Sequence, residues 1–256
     1  MLTLNDVSVY KRGNTLLKEV SCSVVPGELT VILGPNGAGK STLLNCMIGA
    51  ELSHDGVIAL EGKHMGDWSV QNLSKRRAVV SQSVMLSFPF TALEVVHMGV
   101  HAEAVLPDVN GMCFQALEQM GVAQLAHQSY LELSGGERQR VQIARALVQL
   151  RSSYTGEIQY LFLDEPTSAL DLHHQTQLMI QLTVLAGSGM GIVCVLHDLQ
   201  LAAQYADRLI LLKSGRIMGE GNAATQITQT RIEGLYQVQN HVIPHPTSGR
   251  PMVLLE

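Results

Sequence analysis

A glycine-rich segment near the start of the chain constrains the fold most strongly. It reads Gly-Pro-Asn-Gly-Ala-Gly-Lys-Ser-Thr and fits the pattern GxxxxGK[ST]. It lies between the apolar run from Leu29 to Leu33 and a stretch with helical spacing, the context that a phosphate-binding loop requires. Its glycines let backbone N–H groups face phosphates, and the helix start adds a favourable dipole. The residues expected to contact a nucleotide are Gly34, Pro35, Asn36, Gly37, Ala38, Gly39, Lys40, Ser41 and Thr42.

Two residues of this loop have sharper expected roles. Lys40 should neutralise the β- and γ-phosphate oxygens, and Ser41 should be a ligand of Mg²⁺. The simpler alternative is a glycine-rich turn that carries a surface lysine. The flanking strand and helix patterns favour the nucleotide site.

Two adjacent acidic residues follow another apolar run. The segment from Tyr160 to Leu163 is typical of a buried strand and leads directly into Asp164 and Glu165. Open α/β sheets bind ligands at the carboxyl ends of their strands. We expect Asp164 to hold Mg²⁺ through water and Glu165 to polarise the water that attacks a γ-phosphate. Two solvated acids at an ordinary strand end are the alternative.

A second glycine-containing helix start reads Leu-Ser-Gly-Gly-Glu, from Leu133 to Glu137. Ser134 and Glu137 have the spacing of a capping box, which satisfies the first N–H groups of a helix. Gly135 and Gly136 also remove side chains that would block a ligand, so that bare N–H groups could bind an anion. Both interpretations can hold together.

Composition excludes several classes of protein. The 256 residues carry a formal net charge of -5, so nucleic-acid binding through bulk electrostatics is not expected. The four cysteines are widely spaced, which argues against a zinc site or a disulfide framework. No secretory signal is visible, and no uncharged apolar run reaches the roughly 18 residues of a membrane span. We expect a protein of a reducing compartment that does not cross a membrane by itself.

Periodicity along the chain predicts a mixed α/β architecture. Alternating residues from Leu2 to Tyr10 and from Leu16 to Val25 predict an antiparallel β subdomain, and apolar runs separated by helical stretches predict a parallel sheet with crossover helices. The tail after Gly221 is less regular, and no separate domain is expected there. We expect one domain over residues 1–256, with the core and the antiparallel β subdomain in 1–82 and 155–256 and a helical subdomain in 83–154.

In this order, the three motifs resemble those of ABC-type nucleotide-binding subunits. The resemblance extends from Leu2 to about Gly221 and implies an α/β P-loop NTPase of ABC type that hydrolyses ATP with Mg²⁺. It makes the segment from Leu133 to Glu137 the family's signature motif. Subunits of this family pair head to tail, and each signature completes the nucleotide site of its partner, which implies a homodimer. The chain departs from the pattern at Glu137, where many members have Gln.

Four further residues take their expected roles from this resemblance alone. Tyr10 resembles the aromatic residue that stacks on adenine, and Gln82 resembles the glutamine that contacts Mg²⁺ and the attacking water. Asp171 lies in a segment similar to the loop that communicates across the dimer. His197 resembles the histidine that senses the γ-phosphate. As single residues, Tyr10 could instead pack beside a turn and Gln82 could simply end a strand.

A closer resemblance concerns the transported substrate. The sequence from Asp164 to Gln175 is similar to importers of iron chelates, haem and cobalamin, and the polar stretch from Arg151 to Gln159 is similar to hemin-import ATPases. This implies a motor for hemin import at the cytoplasmic face of a bacterial inner membrane. Its implied partners are a two-copy permease, received at about residues 83–100, and a periplasmic binding protein. Import of ferric siderophores or cobalamin is the alternative, and a soluble non-transport ABC ATPase is less favoured.

Overall fold

The computed structural model of the chain describes residues 1–51, 53–82, 88–104 and 106–256. Its strands are β1 (Leu2–Lys11), β2 (Asn14–Val24), β3 (Leu29–Leu33), β4 (Asp55–Leu60), β5 (Lys63–His64), β6 (Arg77–Val80), β7 (Tyr160–Asp164), β8 (Gly191–Val195), β9 (Arg208–Lys213), β10 (Arg216–Asn222), β11 (Asn240–Pro244) and β12 (Pro251–Leu255). Its α-helices are α1 (Lys40–Met47), α2 (Val70–Arg76), α3 (Ala92–His97), α4 (Val109–Gln119), α5 (Gly135–Ser152), α6 (Leu172–Gly187), α7 (Leu199–Tyr205), α8 (Ala223–Gln226) and α9 (Gln229–Tyr236).

A six-stranded sheet with the order β10-β9-β3-β8-β7-β6 forms the centre of the fold. Neighbouring strands from β9 to β6 are parallel, whereas β10 pairs antiparallel with β9. Every residue of β3 and β8 is buried, as expected for parallel strands that are covered on both faces. Because the strands are parallel, the segments that follow β3, β6, β7 and β8 emerge at the same edge of the sheet.

The antiparallel β subdomain has the strand order β2-β1-β4-β5. Its inward-facing side chains, such as Leu4, Leu17 and Ile58, pack with Met47 of α1 and Phe162 of the central sheet in one hydrophobic cluster. The alternation of apolar and polar residues in β1 and β2 gives each strand the buried face that this packing needs. This sheet therefore covers α1 and one face of the central sheet.

Helices α3, α4 and α5 belong to a larger cluster, which includes Val95, Leu117 and Leu147 together with Leu161 of the central sheet. Capping boxes begin α3 at Thr91 and α5 at Ser134, and the one at Ser134 is the one predicted above. The predicted helical subdomain over residues 83–154 remains an expectation as a domain boundary, and its first residues, 83–87, lie outside the described part of the chain.

The tail after β10 has regular structure that the sequence does not predict. Helices α8 and α9 are followed by the hairpin of β11 and β12. Ile232, Leu235 and Val253 are buried in the larger cluster, so the tail packs onto the same core. Over the described ranges, every helix is too short or too polar to traverse a lipid bilayer.

Candidate active site

The phosphate-binding loop connects β3 to α1, as predicted. Gly37 and Gly39 have positive φ angles of 77° and 102°, a region that favours glycine. Gly39 is the N-cap of α1, and no side chain caps this helix start. Among the described residues, the first N–H groups of α1 therefore have no side-chain acceptor, and they are suited to an anion.

Close approach of other segments explains two of the glycines. A Cβ atom on Gly34 would lie 2.1 Å from the carbonyl oxygen of Leu212, and one on Gly39 would lie 2.8 Å from that of Leu16. The N–H group of Gly215 donates to the carbonyl of Ala38 at 2.9 Å. The loop is thus held between β2 and the turn that joins β9 to β10.

A cleft of 550 Å³ opens over the loop. Its lining combines predicted residues with residues that the sequence does not single out; the lining is Thr15, Leu16, Asn36, Gly37, Ala38, Gly39, Lys40, Ser41, Thr42, Glu165, Ser214 and Gly215. Thr15, Leu16, Ser214 and Gly215 belong to no motif, because only the tertiary approach of two segments brings them to the loop. Tyr10 is 55% exposed and lies opposite Thr15 in the β1–β2 pairing, but it does not line the cleft.

Lys40 lies in the wall of the cleft and is only 7% exposed. Its Nζ donates to the carbonyl oxygens of Gly34 at 2.8 Å and of Pro35 at 3.1 Å. Burial lowers the pKa of Lys40, and the nearby carboxylates of Glu165 and Asp164 oppose this shift. The ammonium group is therefore held within the loop, close to the two predicted acids.

Two other predicted site residues, Gln82 and His197, contact the carboxylate of Glu165. Its Oε2 accepts a hydrogen bond from Nε2 of Gln82 at 2.7 Å, and its Oε1 lies 2.5 Å from Nε2 of His197. The backbone N–H of Glu165 donates to Val195 at 3.2 Å, and its φ angle is 51°. Three predicted residues from separate parts of the chain therefore meet at one carboxylate.

Asp164, at the end of β7, has one side-chain oxygen without a protein partner. Its Oδ1 is buried and accepts no hydrogen bond from any described residue. Burial raises the pKa of Asp164, as does the charge of Glu165, while Lys40, His197 and the Ser41 side chain lower it. An orphaned carboxylate oxygen beside Ser41 fits a divalent cation with oxygen ligands, such as Mg²⁺.

The segment Ser134 to Glu137 starts α5 with a capping box, in which Ser134 N–H donates to Glu137 Oε2 at 2.8 Å. A Cβ atom on Gly136 would lie 2.9 Å from the carbonyl oxygen of Ala169, so this glycine permits close packing against the segment that leads to Asp171. Asp171 is the N-cap of α6 and accepts from the His174 backbone at 2.9 Å. Among the described residues, neither this segment nor Asp171 lines the cleft of its own chain.

The sheet, the loop between β3 and α1, and the acids after β7 define a P-loop nucleotide-binding fold. Residues 17–168 match the family model described as ABC transporter. The chain is 50% identical over 250 residues to the hemin import ATP-binding protein HmuV of Hahella chejuensis, with 98% of each chain covered. It is 39% identical over 257 residues to the protein of the same name from Escherichia coli O157:H7, with 100% of each covered. The chain belongs to the ABC transporter family and is an ATP-binding subunit.

Solved structures share this fold. A structure described as a metal-chelate type ABC transporter in an inward-facing conformation aligns with a TM-score of 0.81 at 24% identity, over 100% of this chain and 96% of that chain. The dimeric ABC transporter cassette MJ0796 aligns with a TM-score of 0.76 at 29% identity, over 87% of this chain and 99% of that chain. The predicted ABC-type α/β fold is confirmed. The expected activity of this family member is ATP hydrolysis coupled to transport.

Proposed function

We propose that this chain hydrolyses ATP to drive hemin import from the cytoplasmic face of a bacterial inner membrane. Relatives that cover nearly its whole length are named hemin import ATP-binding proteins. The ATPase subunit contacts the permease rather than the cargo, so the proposed cargo rests on these relatives. The site itself supports the hydrolytic part of the proposal.

The observation that carries the hydrolytic part is the position of Glu165 at the cleft, with Gln82 and His197 on its two carboxylate oxygens. A carboxylate that is fixed on both oxygens is suited to orient a water molecule for attack on a γ-phosphate. Gln82 holds one carboxylate oxygen, and His197 holds the other. In addition to this contact, His197 would sense the γ-phosphate. Glu165 is therefore the proposed base, with Gln82 and His197 as its partners.

Binding of ATP is assigned to the loop and to Lys40. The backbone N–H groups of residues 34–42 other than Pro35 would surround the phosphates, and Lys40 would exchange its two carbonyl acceptors for β- and γ-phosphate oxygens. Ser41, Gln82 and Asp164 would hold Mg²⁺, with Asp164 acting through water, and the ion would supply positive charge against the phosphates. Tyr10 is the proposed adenine contact.

A second copy of the chain is proposed to complete each site. Ser134, Gly135, Gly136 and Glu137 form a helix start that is exposed at its first two residues and lies outside the cleft of its own chain. In a head-to-tail dimer, this helix start would approach the γ-phosphate that the partner's loop holds, with Asp171 beside it. The related cassette MJ0796 is dimeric in its solved structures, one of which contains ADP and Pi.

The proposed membrane partner is a two-copy permease, which a periplasmic binding protein would supply with hemin. Phe88 is 68% exposed, its ring lies 6.1 Å from that of Phe90, and Met98 is also exposed. Neighbouring apolar side chains that are exposed together, as the Phe88 and Phe90 rings are in part, are typical of interaction sites. The described residues 88–100 therefore support the proposed permease contact, of which residues 83–87 lie outside the described chain.

Reconstitution with the permease encoded beside this chain would test the cargo. Liposomes that contain the complex should move hemin when ATP is supplied, and complexes with the Glu165→Gln chain should not. If the complex moved a ferric siderophore or cobalamin but not hemin, hemin would be rejected as the cargo, and the proposal of an ATP-driven transport motor would stand. If the permease did not stimulate ATP hydrolysis and the complex moved neither hemin, a ferric siderophore nor cobalamin, the result would favour a non-transport ATPase.

A further inference from the structure

The hairpin of β11 and β12 contacts the helix that follows His197. Its strands pair from Asn240 with Leu255 to Pro244 with Pro251, and within the described residues they form a two-stranded sheet of their own. Val253, near the middle of β12, is 2% exposed and belongs to the larger hydrophobic cluster. The hairpin is thus anchored in the core while it packs against α7.

Two side chains fasten the hairpin to the two ends of α7. At the first turn, Nε2 of Gln200 donates to the carbonyl of Val253, and Oε1 of Gln200 accepts the N–H of Val253 at 3.3 Å. At the other end, Nη1 of Arg250 donates to the carbonyl of Ala206 at 3.0 Å. The side-chain amide of Gln200 therefore bonds both the N–H and the carbonyl of Val253, as the backbone of a neighbouring strand would.

The first turn of α7 is directly coupled to His197. Asp198 is the N-cap of the helix and accepts from the backbone N–H groups of Gln200 at 2.7 Å and Leu201 at 3.0 Å. His197 is the residue before this cap. Its side chain is 46% exposed, and among the described residues Glu165 is its hydrogen-bond partner. The backbone of His197 is thus joined to β8 on one side and to the cap of α7 on the other.

A cavity of 290 Å³ lies on the hairpin side of this segment. Its lining includes His197, Leu199, Tyr236, Val238 and Leu255. The described side chains leave this space open beside His197, so packing on the hairpin side does not by itself fix the segment. The hydrogen bonds from Gln200 to Val253 cross from the helix to the hairpin at this cavity.

We infer that Gln200 is a positioning residue for ATP hydrolysis, which holds His197 against Glu165 by tying the first turn of α7 to Val253. The inference rests on the roles proposed above for His197 and Glu165. A displacement of about 1 Å in a catalytic group can cost up to roughly 100-fold in rate. Gln200 does not touch the reacting atoms, so its loss should act through the position of the imidazole.

The test compares Gln200→Leu with Gln204→Leu in the full-length chain. Gln204 is an exposed residue of the same helix and is a matched control. Steady-state kcat and the KM for ATP are measured together with the imidazole NMR signal of His197, which is assigned by its absence in His197→Ala. Gln200→Leu should lower kcat about tenfold, leave KM within about twofold and shift the His197 signal. Gln204→Leu should match the wild type in all three.

A His197 signal that stays at its wild-type position in Gln200→Leu would overturn the inference, whatever happens to kcat, as would a wild-type kcat. If the leucine variant does not fold, Gln200→Glu serves instead, because it keeps an acceptor for Val253 N–H but loses the donor. It should change kcat and the NMR signal in the same directions. A wild-type chain that hydrolyses no ATP, either alone or with the permease encoded beside it, would refute the proposed function, whereas an active wild type with an unaffected Gln200→Leu would refute this inference alone.

Discussion

Nε2 of His197 and Oε1 of Glu165 lie 2.5 Å apart, although 32 positions separate the two residues in the sequence. They meet because β7 and β8 are adjacent parallel strands, in which Asp164 lies opposite Val195. Gln82 reaches the same carboxylate from the end of β6, on the other side of β7. Glu165 thus follows the middle strand, β7, while the two residues that contact its carboxylate follow the neighbouring strands β6 and β8.

Removal of the Lys40 ammonium group should weaken nucleotide binding. Lys40→Ala loses a charged donor to phosphate, which is worth about 1.5–3 kcal/mol, or roughly a 10- to 100-fold rise in the Kd for ATP. Equilibrium binding of a fluorescent ATP analogue measures this change. Lys63→Ala, at an exposed lysine of β5, is the control and should bind as the wild type does. An unchanged Kd in Lys40→Ala would remove Lys40 from the phosphate site.

Asp164→Asn should stabilise the nucleotide-free protein while it abolishes Mg²⁺-dependent hydrolysis. Burial raises the pKa of Asp164 above the ordinary value of 3.8, so the native state binds its proton more tightly than the unfolded state. The resulting penalty is fully present above the raised pKa and fades as the pH falls towards 3.8. The Tm of Asp164→Asn should therefore exceed that of the wild type at pH 7, and this gain should shrink on acidification.

Thermal unfolding across this pH range checks the Asp164 prediction. Asp67→Asn, at an exposed aspartate in the turn after β5, should show no comparable gain in Tm and should hydrolyse ATP normally. A Tm of Asp164→Asn below that of the wild type at pH 7 would contradict the prediction.

Gly136→Ala should destabilise the chain more than Gly135→Ala. The added methyl group at Gly136 would lie 2.9 Å from the carbonyl oxygen of Ala169 and 2.9 Å from Cδ2 of Leu170. At Gly135, the nearest atom would be the Ala169 Cβ at 3.4 Å. Overpacking costs about 1–3 kcal/mol, part of which the helix propensity of alanine offsets. Urea unfolding of both variants measures the difference, and the reverse order of stability would refute this packing account.

The motifs made of consecutive residues could be predicted, because each lies next to a strand or helix that is recognisable from the pattern of its apolar residues. The loop before α1 and the two acids at the end of β7 follow runs that are apolar except for Thr30, which mark both as parts of one sheet edge. The spacing of Ser134 and Glu137 likewise predicts a capping box, which is confirmed by its hydrogen bonds. The ligand role of the signature helix start and the roles of Tyr10 and Asp171 stay predictions.

Other parts of the site depend on tertiary contacts that leave no local pattern. Leu16 and Gly215 reach the cleft because β2 and the turn after β9 close on the loop, where a Cβ on Gly215 would lie 2.6 Å from the Leu16 carbonyl oxygen. The elements after Asn222 are short, and the two hairpin strands, Asn-His-Val-Ile-Pro and Pro-Met-Val-Leu-Leu, do not alternate apolar and polar residues. The contact of this tail with α7 could not be read from the sequence.

Turnover by Glu165→Gln tests the central claim most directly. Glutamine keeps the size of the side chain but removes the charge that would polarise the attacking water, so kcat should fall at least about 100-fold while the Kd for ATP remains near the wild-type value. ATP should also trap this variant as a closed dimer in size-exclusion chromatography. Glu118→Gln, at an exposed glutamate of α4, should behave as the wild type does. Sustained hydrolysis at the wild-type rate by Glu165→Gln would contradict the assignment of Glu165 as the base.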